Sequence, residues 1–448
     1  MSGAAHHRRG PRRFVIRFLI LLLPVAAWSL WDYVEARRLS SMVREIQARG
    51  EPIESNSQPR VPQQFPASAG AYYDAAALLM DRATLSDIET ALYFERGERA
   101  ALMARLRSWL DANGESERML DQATAAEFRG SQPYQDGLRV DRLVKVSSLA
   151  RARVVERLDA HDGEGTTAAL IRQIRIARAM EAAASDWVPF FFDRALADLD
   201  QVLAERPSPA ALERLQQAIH VNDRDGVIRE DAMNARGLLI ESLWNPGSDW
   251  YGRPSVRFSG NPLEPLAYFL TRPWQARRVT DELRRMNAAV AAASTPWPDR
   301  LKFSSIPMPA ISAARWRFLD TPADTIAYLH QQRALAFGRM LAILRTAACA
   351  VAVERFRAAH DGTPPATLDA LVPAFIDRVP VDPFSGAPLK LRSAPGAYAV
   401  YSVGPNFTDD GGTVLKAPRK PATGSRERPD LAPDYGIAVT LEPKSPSG

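Results

Sequence analysis

The stretch that decides the fold runs from Arg345 to Gly412: RTAACAVAVERFRAAHDGTPPATLDALVPAFIDRVPVDPFSGAPLKLRSAPGAYAVYSVGPNFTDDGG. It opens inside an apolar stripe in which Phe337, Met340, Leu341, Leu344, Ala348 and Val351 recur at helical spacing, so a long helix is expected from about Asp324. His360-Asp361-Gly362 supplies its stop, because Gly takes the left-handed terminating conformation, and Pro364-Pro365 prevents continuation. A short helix is expected around Leu368–Leu371. Leu389–Arg392 and Tyr398–Val403 read as a hairpin across Ser393-Ala394-Pro395-Gly396, and Ile437–Leu441 as a third strand. Residues 324–441 are thus expected to form a small α+β unit, a long helix plus about three antiparallel strands, with a mobile polar loop at 416–433 and a tail at 442–448.

Upstream the chain is helical almost throughout, so the expected class is mainly α: an N-terminal transmembrane helix, an antiparallel helical-hairpin domain over 68–323, then the α+β unit. Ser208-Pro209 is a helix start, Ser capping free amides and Pro fitting the first turn, with Leu212, Leu215 and Ile219 on one face behind it. Leu170, Ile171, Ile174 and Ala177 share another face, with Arg172 and Arg175 turned away. Residues 244–318 differ. They are Pro-rich around one helical segment, Gln275 to Ala293, and hold Trp244, Trp250, Trp274, Trp297 and Trp316, five of the nine tryptophans. Aromatics in such loops either pack onto a helical core or line a carbohydrate or peptide groove.

The net charge of +5 suggests a nucleic-acid partner, and its distribution removes one. Arg8, Arg9, Arg12, Arg13 and Arg17 precede any acid, and the other 52 basic residues match the 52 acidic ones. These arginines form a basic tail over 1–13 and continue into an apolar run, Phe18 to Trp31 (FLILLLPVAAWSLW), which extends to 14–34 if Arg17 and Asp32 snorkel. Positive charge before the run holds the tail in the cytoplasm, so a signal anchor in a bacterial inner membrane is expected, with the bulk of the chain periplasmic. A cleaved signal peptide is the rival, since Val25-Ala26-Ala27 offers small residues before Trp28. Residues 35–67 turn rich in Pro, Ser and Gln after Gly50 and read as a spacer.

No catalytic motif stands out. The single cysteine, Cys349, excludes an intrachain disulfide and reads as a small buried residue among alanines. Gly163-Glu164-Gly165-Thr166-Thr167-Ala168 matches a dinucleotide fingerprint but follows a helical pattern instead of a strand, so it reads as an interhelical turn capped by Thr166. The histidines show no metal spacing. Asp193, Asp198 and Asp200, after Phe190-Phe191-Phe192, read as solvated acids beside a buried aromatic face.

ALVPAFIDRVPVDPFSG and YSVGPNFTDDGG, within about Leu335 to Leu441, resemble the globular domain of the major pseudopilin of type II secretion. The whole chain, with SPAALERLQQAI upstream, is similar to bacterial membrane-anchored proteins carrying that domain. The resemblance implies a calcium site in the last loop. Ser402 and Val403 would offer carbonyl or hydroxyl oxygens, Asp409 and Asp410 carboxylates, and Asp434 a further acid, while Asn406 stands where the family carries Asp. The competing reading is a tight turn built from Asn, Asp and Gly. The anchor, PRRFVIRFLILLLPVAAWSLWDYV, carries no prepilin cleavage signature, so polymerisation into a pilus is not expected. The expected function is a structural or interaction protein of the envelope, with secretion proteins as candidate partners. The alternative is an extracytoplasmic hydrolase or carbohydrate- or peptide-binding protein using the Trp-rich segment.

Overall fold

The computed structural model describes residues 10–51, 53, 67–80, 99–125, 140–182, 188–220, 229, 232–233, 235–240, 263–293, 295–301, 322–414 and 434–441. The mobile loop expected at 416–433, most of the spacer beyond Glu51, and Trp244, Trp250 and Trp316 lie outside them. Within the described residues the protein is mainly helical with one small antiparallel sheet. The helices are α1 (Gly10–Ala48), α2 (Ala67–Leu79), α3 (Arg99–Ala112), α4 (Gly114–Ala125), α5 (Val140–Asp159) and α6 (Gly163–Ala182), followed by α7 (Val188–Leu196), α8 (Leu199–Ala204), α9 (Pro209–Ala218), α10 (Leu263–Ala292) and α11 (Pro322–Ala359). The strands are β1 (Lys390–Ala394), β2 (Ala397–Ser402) and β3 (Tyr435–Thr440).

The chain divides into two compact units. The first comprises 1–58, 225–295 and 302–332. Here α1 runs without a break through Ala48, so residues 35–48 are helix where the sequence suggests spacer. The reason is burial: Val43 and Ile46 pack with Ala235, Leu239, Val279, Leu283 and Met286. Arg236 is fully buried among these helices, its Nη1 2.5 Å from Glu51 and 2.9 Å from Asn287. α10 begins twelve residues before the expected Gln275 and holds Pro273 inside. That proline cannot donate to Phe269, and the indole of Trp28 donates to the next carbonyl, Leu270, at 2.9 Å.

The second unit comprises 59–224, 296–301 and 333–448. One continuous apolar core runs from Ala69 on α2 to Val439 on β3, so helices and sheet share it and the boundary expected at 323/324 separates no cores. α2 packs on α4 and α5, α5 on α6, and α6 on α7 and α9. α11 is buried on nearly all faces from Leu341 to Val353, well beyond a single stripe. Among the described residues only its Gln332–Ala359 part is long and apolar enough to cross a membrane, and 78% of its 18-residue apolar window is buried, as befits a core helix. It ends as the sequence predicts, with Asp361 and Gly362 at φ 53° and 81° and the Gly362 amide donating to Arg357 at 2.8 Å. Cys349 lies buried in α11, and burial pushes its thiol up to about 12.

Ser208 accepts from the Ala211 amide at 3.2 Å with Pro209 in the first turn, as expected of α9. The start of α6 differs. Asp162, not Thr166, caps it, accepting from the Gly165 amide at 2.9 Å and pairing with Arg157. A Cβ on residue 165 would run into that carboxylate, so the glycine that resembles a phosphate loop serves a helix cap. Two of the acids after the triple phenylalanine are also not solvated. Asp198 is 6% exposed and paired with Arg151 at 3.3 Å, and Asp193 accepts from the Tyr435 hydroxyl at 2.5 Å. Burial raises the Asp193 pKa, opposed by that hydrogen bond and by Arg339. The sheet has the order β1-β2-β3, with Lys390 opposite Tyr401 and Tyr401 opposite Gly436. β3 starts two residues before the expected Ile437 because Tyr435 and Gly436 still pair with β2.

Candidate functional site

The acidic-glycine loop and its surroundings in the second unit are assembled from β1, the end of β2, and the residue before β3. The chain leaves β2 at Ser402 and turns through left-handed residues, Gly404 and Phe407 at φ 71° and 59°, then Gly411 and Gly412 at 73° and 78°. Gly412 lies on the Tyr401 ring, where a Cβ would come within 3.0 Å of Cε1. Asp434 is fully buried beneath the loop, and its two carboxylate oxygens accept from the Asp410 amide at 3.1 Å and the Gly412 amide at 2.6 Å. Burial raises its pKa above the ordinary carboxylate range, against the lowering effect of those two amides.

Each remaining expected ligand has a protein partner. Asp409 accepts from the Gly411 amide at 3.0 Å and pairs with the Lys390 ammonium, which holds its carboxyl below the usual range and raises Lys390 in turn. Asp410 accepts from the Asn406 side-chain amide at 2.8 Å. Arg392 donates to the Gly411 carbonyl at 3.0 Å. Ser402 and Val403 face a different acid, donating to Asp382 at 2.6 and 3.0 Å. The loop therefore brings Asn406, Asp409, Asp410 and Asp434 into one hydrogen-bonded turn and leaves Ser402 and Val403 outside it.

As arranged, this donor set does not fit a calcium ion. Calcium takes six to eight oxygens, whereas here Asp409 is paired with the Lys390 ammonium and Ser402 and Val403 are turned to Asp382 and away from the loop. Among the described residues no group of three or more His, Cys, Asp or Glu is placed to hold a metal. Lys390 supplies the positive charge that such an ion would bring. Millimolar calcium is accordingly expected to leave the thermal unfolding of the intact protein unchanged. A rise in Tm erased by Asp409→Ala with Asp410→Ala would restore the calcium reading.

Sequence reasoning missed Asp382, which is 2% exposed and the most connected acid here. Beyond Ser402 and Val403 it accepts from the Phe384 amide at 2.9 Å and the Ser385 hydroxyl at 2.8 Å. It ties the VDPFSG turn to the end of β2. The turn needs its glycine, since Gly386 has φ 74° and a Cβ there would meet Pro298 Cδ at 2.6 Å. The Asp-Pro-Phe-Ser-Gly pattern signals a turn, but only the fold brings Ser402 onto it.

Asp434→Asn is a direct test of the loop's construction. An amide has one acceptor oxygen for two buried donors, so a loss of about 1–3 kcal/mol is expected in urea unfolding. The raised pKa adds a sign. Between the ordinary value of 3.8 and the raised one, the folded state holds a proton that the unfolded state has released. The contribution of Asp434 therefore falls as pH rises through that window and is flat above it. The Asn variant should lack that slope. The exposed Lys390–Asp409 pair behaves oppositely, present above the carboxyl's ordinary range and lost as pH falls through its depressed pKa. Its side chains are 41% and 39% exposed, which limits it to under about 1 kcal/mol.

Compared with known proteins, no family model matches the chain, and neither a curated protein nor a solved structure does.

Proposed function

We propose that the chain is a single-pass, membrane-anchored structural or interaction protein of the bacterial envelope, with its N-terminus cytoplasmic and its bulk outside. The observation that carries this is the continuity of α1. Its apolar part leaves Leu22, Leu23, Val25, Leu30 and Trp31 exposed, and the same helix then enters the core of the first unit through Val43 and Ile46. A rigid helical entry of this kind suits an anchor that positions a folded head, and five arginines ahead of it suit the inward orientation. Secretion proteins are the partners proposed from the sequence resemblance.

A reporter fused after Gly50 is expected to be active only outside the cytoplasm, with an N-terminal tag retained on the mature protein. A processed N-terminus at Trp28 would replace the anchor with a signal peptide. Capture of the intact protein from membranes tests the partner class. Retention or cleavage of glycans by the purified protein would favour the alternative, an enzyme or carbohydrate binder using the tryptophans. Of those, Trp274 and Trp297 are half-buried with Arg278 and Arg300 over their rings at 4.6 and 5.5 Å.

A further inference from the structure

Within the first unit α1 and α10 lie side by side and run parallel. Trp28 packs on Phe269 with ring centroids 4.7 Å apart and planes tilted by 35°, Asp32 pairs with Arg272 at 3.4 Å, and Val43 and Ile46 share a cluster with Val279, Leu283 and Met286. The first turns of α10 therefore lie beside the stretch of α1 that reads as membrane span. In sequence they read LEPLAYFL over 263–270, apolar apart from Glu264 in the first turn. Leu266, Phe269 and Leu270, at i, i+3 and i+4, are 54%, 49% and 52% exposed, on one side of the helix.

The exposed apolar surface of both helices ends near the Asp32–Arg272 pair, and the charge from there upward is lopsided. Arg272 and Arg38 are 59% and 56% exposed, while the acids they pair with, Asp32 and Glu35, are 17% and 3% exposed. From Arg272, beside Asp32, to Arg38, about 9 Å further along α1 at 1.5 Å per residue, guanidinium groups are exposed while their partners are half-buried (Asp32) or buried (Glu35), which complements anionic lipid headgroups. Leu266 lies six residues before Arg272, about 9 Å deeper at 1.5 Å per residue. That depth matches helices that lie about 5–10 Å into the headgroup and acyl boundary, and it is too short for a second span. Pro265 in the first turn removes one of the amides that a helix start would otherwise leave without a partner in lipid.

We infer that the N-terminal turns of α10 dip into the extracytoplasmic leaflet beside α1, so that the first unit is seated on the bilayer by two helices and a collar of arginines. This rests on the anchor reading of α1 and adds a second, independent lipid contact. A soluble apolar partner is the competing occupant. The lipid is favoured because the surface continues that of a bilayer-length helix and stops at a basic level.

The test uses the full chain in vesicles of phosphatidylethanolamine and phosphatidylglycerol, with a nitroxide at Leu266→Cys or Phe269→Cys. Val25→Cys serves as the anchor reference, and Arg284→Cys, at a 58% exposed side chain, as the water reference. Buried Cys349 does not compete for the label. The expected result is loss of reduction by ascorbate, and relaxation by oxygen instead of a soluble nickel chelate, at 266 and 269 as at 25. If 25 is protected while 266 and 269 are reduced like 284, the dip is overturned and the anchor stands. If 25 is reduced as well, the anchor reading fails and the dip with it. Leu266 is not a member of the Trp28–Phe269 ring pair, so its label keeps the test valid should Phe269→Cys disturb the helix pair.

Discussion

Asp382→Ala is expected to cost the second unit about 2–6 kcal/mol from two backbone amides alone, at roughly 1–3 kcal/mol for each buried donor left without an acceptor. Those amides, Phe384 and Val403, both donate to its carboxylate, and the buried Ser402 hydroxyl loses the same partner. The side chain is 2% exposed, so water does not replace it freely. Asp382→Asn should recover only part of the loss. Its oxygen can still serve the donors at Oδ1, Phe384 and Ser402, while its NH2 group faces those at Oδ2, Val403 and Ser385. Denaturant unfolding of the full protein reads the difference as a lower midpoint with an unchanged slope. Equal stability of wild type and Asp382→Ala would mean that the turn is not fastened to β2 in solution.

The second large effect lies one layer deeper. Glu354 and Arg357 on α11 form a buried ion pair at 2.7 Å, 5% and 9% exposed, and Arg357 Nε also donates to the Gly362 carbonyl beyond the helix end. Tyr398 of β2 lies beside them, its hydroxyl pushed well above its usual pKa first by burial and then by the Glu354 charge. Glu354→Ala leaves a guanidinium in the core without its counter-ion, at an expected cost of about 3–5 kcal/mol. The double variant Glu354→Ala with Arg357→Leu removes both charges and should lose less than Glu354→Ala alone, although it forfeits the bond to Gly362. If the double variant is the less stable of the two, the pair is worth more than its desolvation cost.

The legible parts of this fold are those written in short-range periodicity. α11 and its stop, the Ser208 cap and the β1–β2 hairpin follow from spacing, capping chemistry and turn residues within about ten positions. What escaped depends on contacts made by register or by distant segments. Lys390 meets Asp409 only because β1 pairs with β2 so that Lys390 faces Tyr401. Helical periodicity counts Asp193 as solvated, and nothing local announces a tyrosine 242 residues away. At the α6 start the sequence pattern points to Thr166 as the cap, whereas the carboxylate that caps the helix belongs to Asp162, four positions earlier. Asp162 prevails because Gly165 leaves room for its carboxylate. The same limit applies to the loop at 404–412, where acids that read as ligands are held by amides and a lysine that only the folded chain brings near.

The bond between Asp193 and Tyr435 also sets an order of events. β3 packs against α8 and supplies Ile437 and Val439 to a core whose other members begin at Ala69. Closing such a contact requires nearly the whole chain to exist, and long sequence separation slows the step that forms it. During synthesis the helices from α2 to α9 emerge first with the seat for β3 still empty. Until Tyr435 arrives, Asp193 lacks its phenol donor and part of the core lies open to other strands or to chaperones. Residues 434–441 therefore act as a latch on the second unit, and a chain halted just before residue 434 should be degraded or aggregate far sooner than one halted after residue 441.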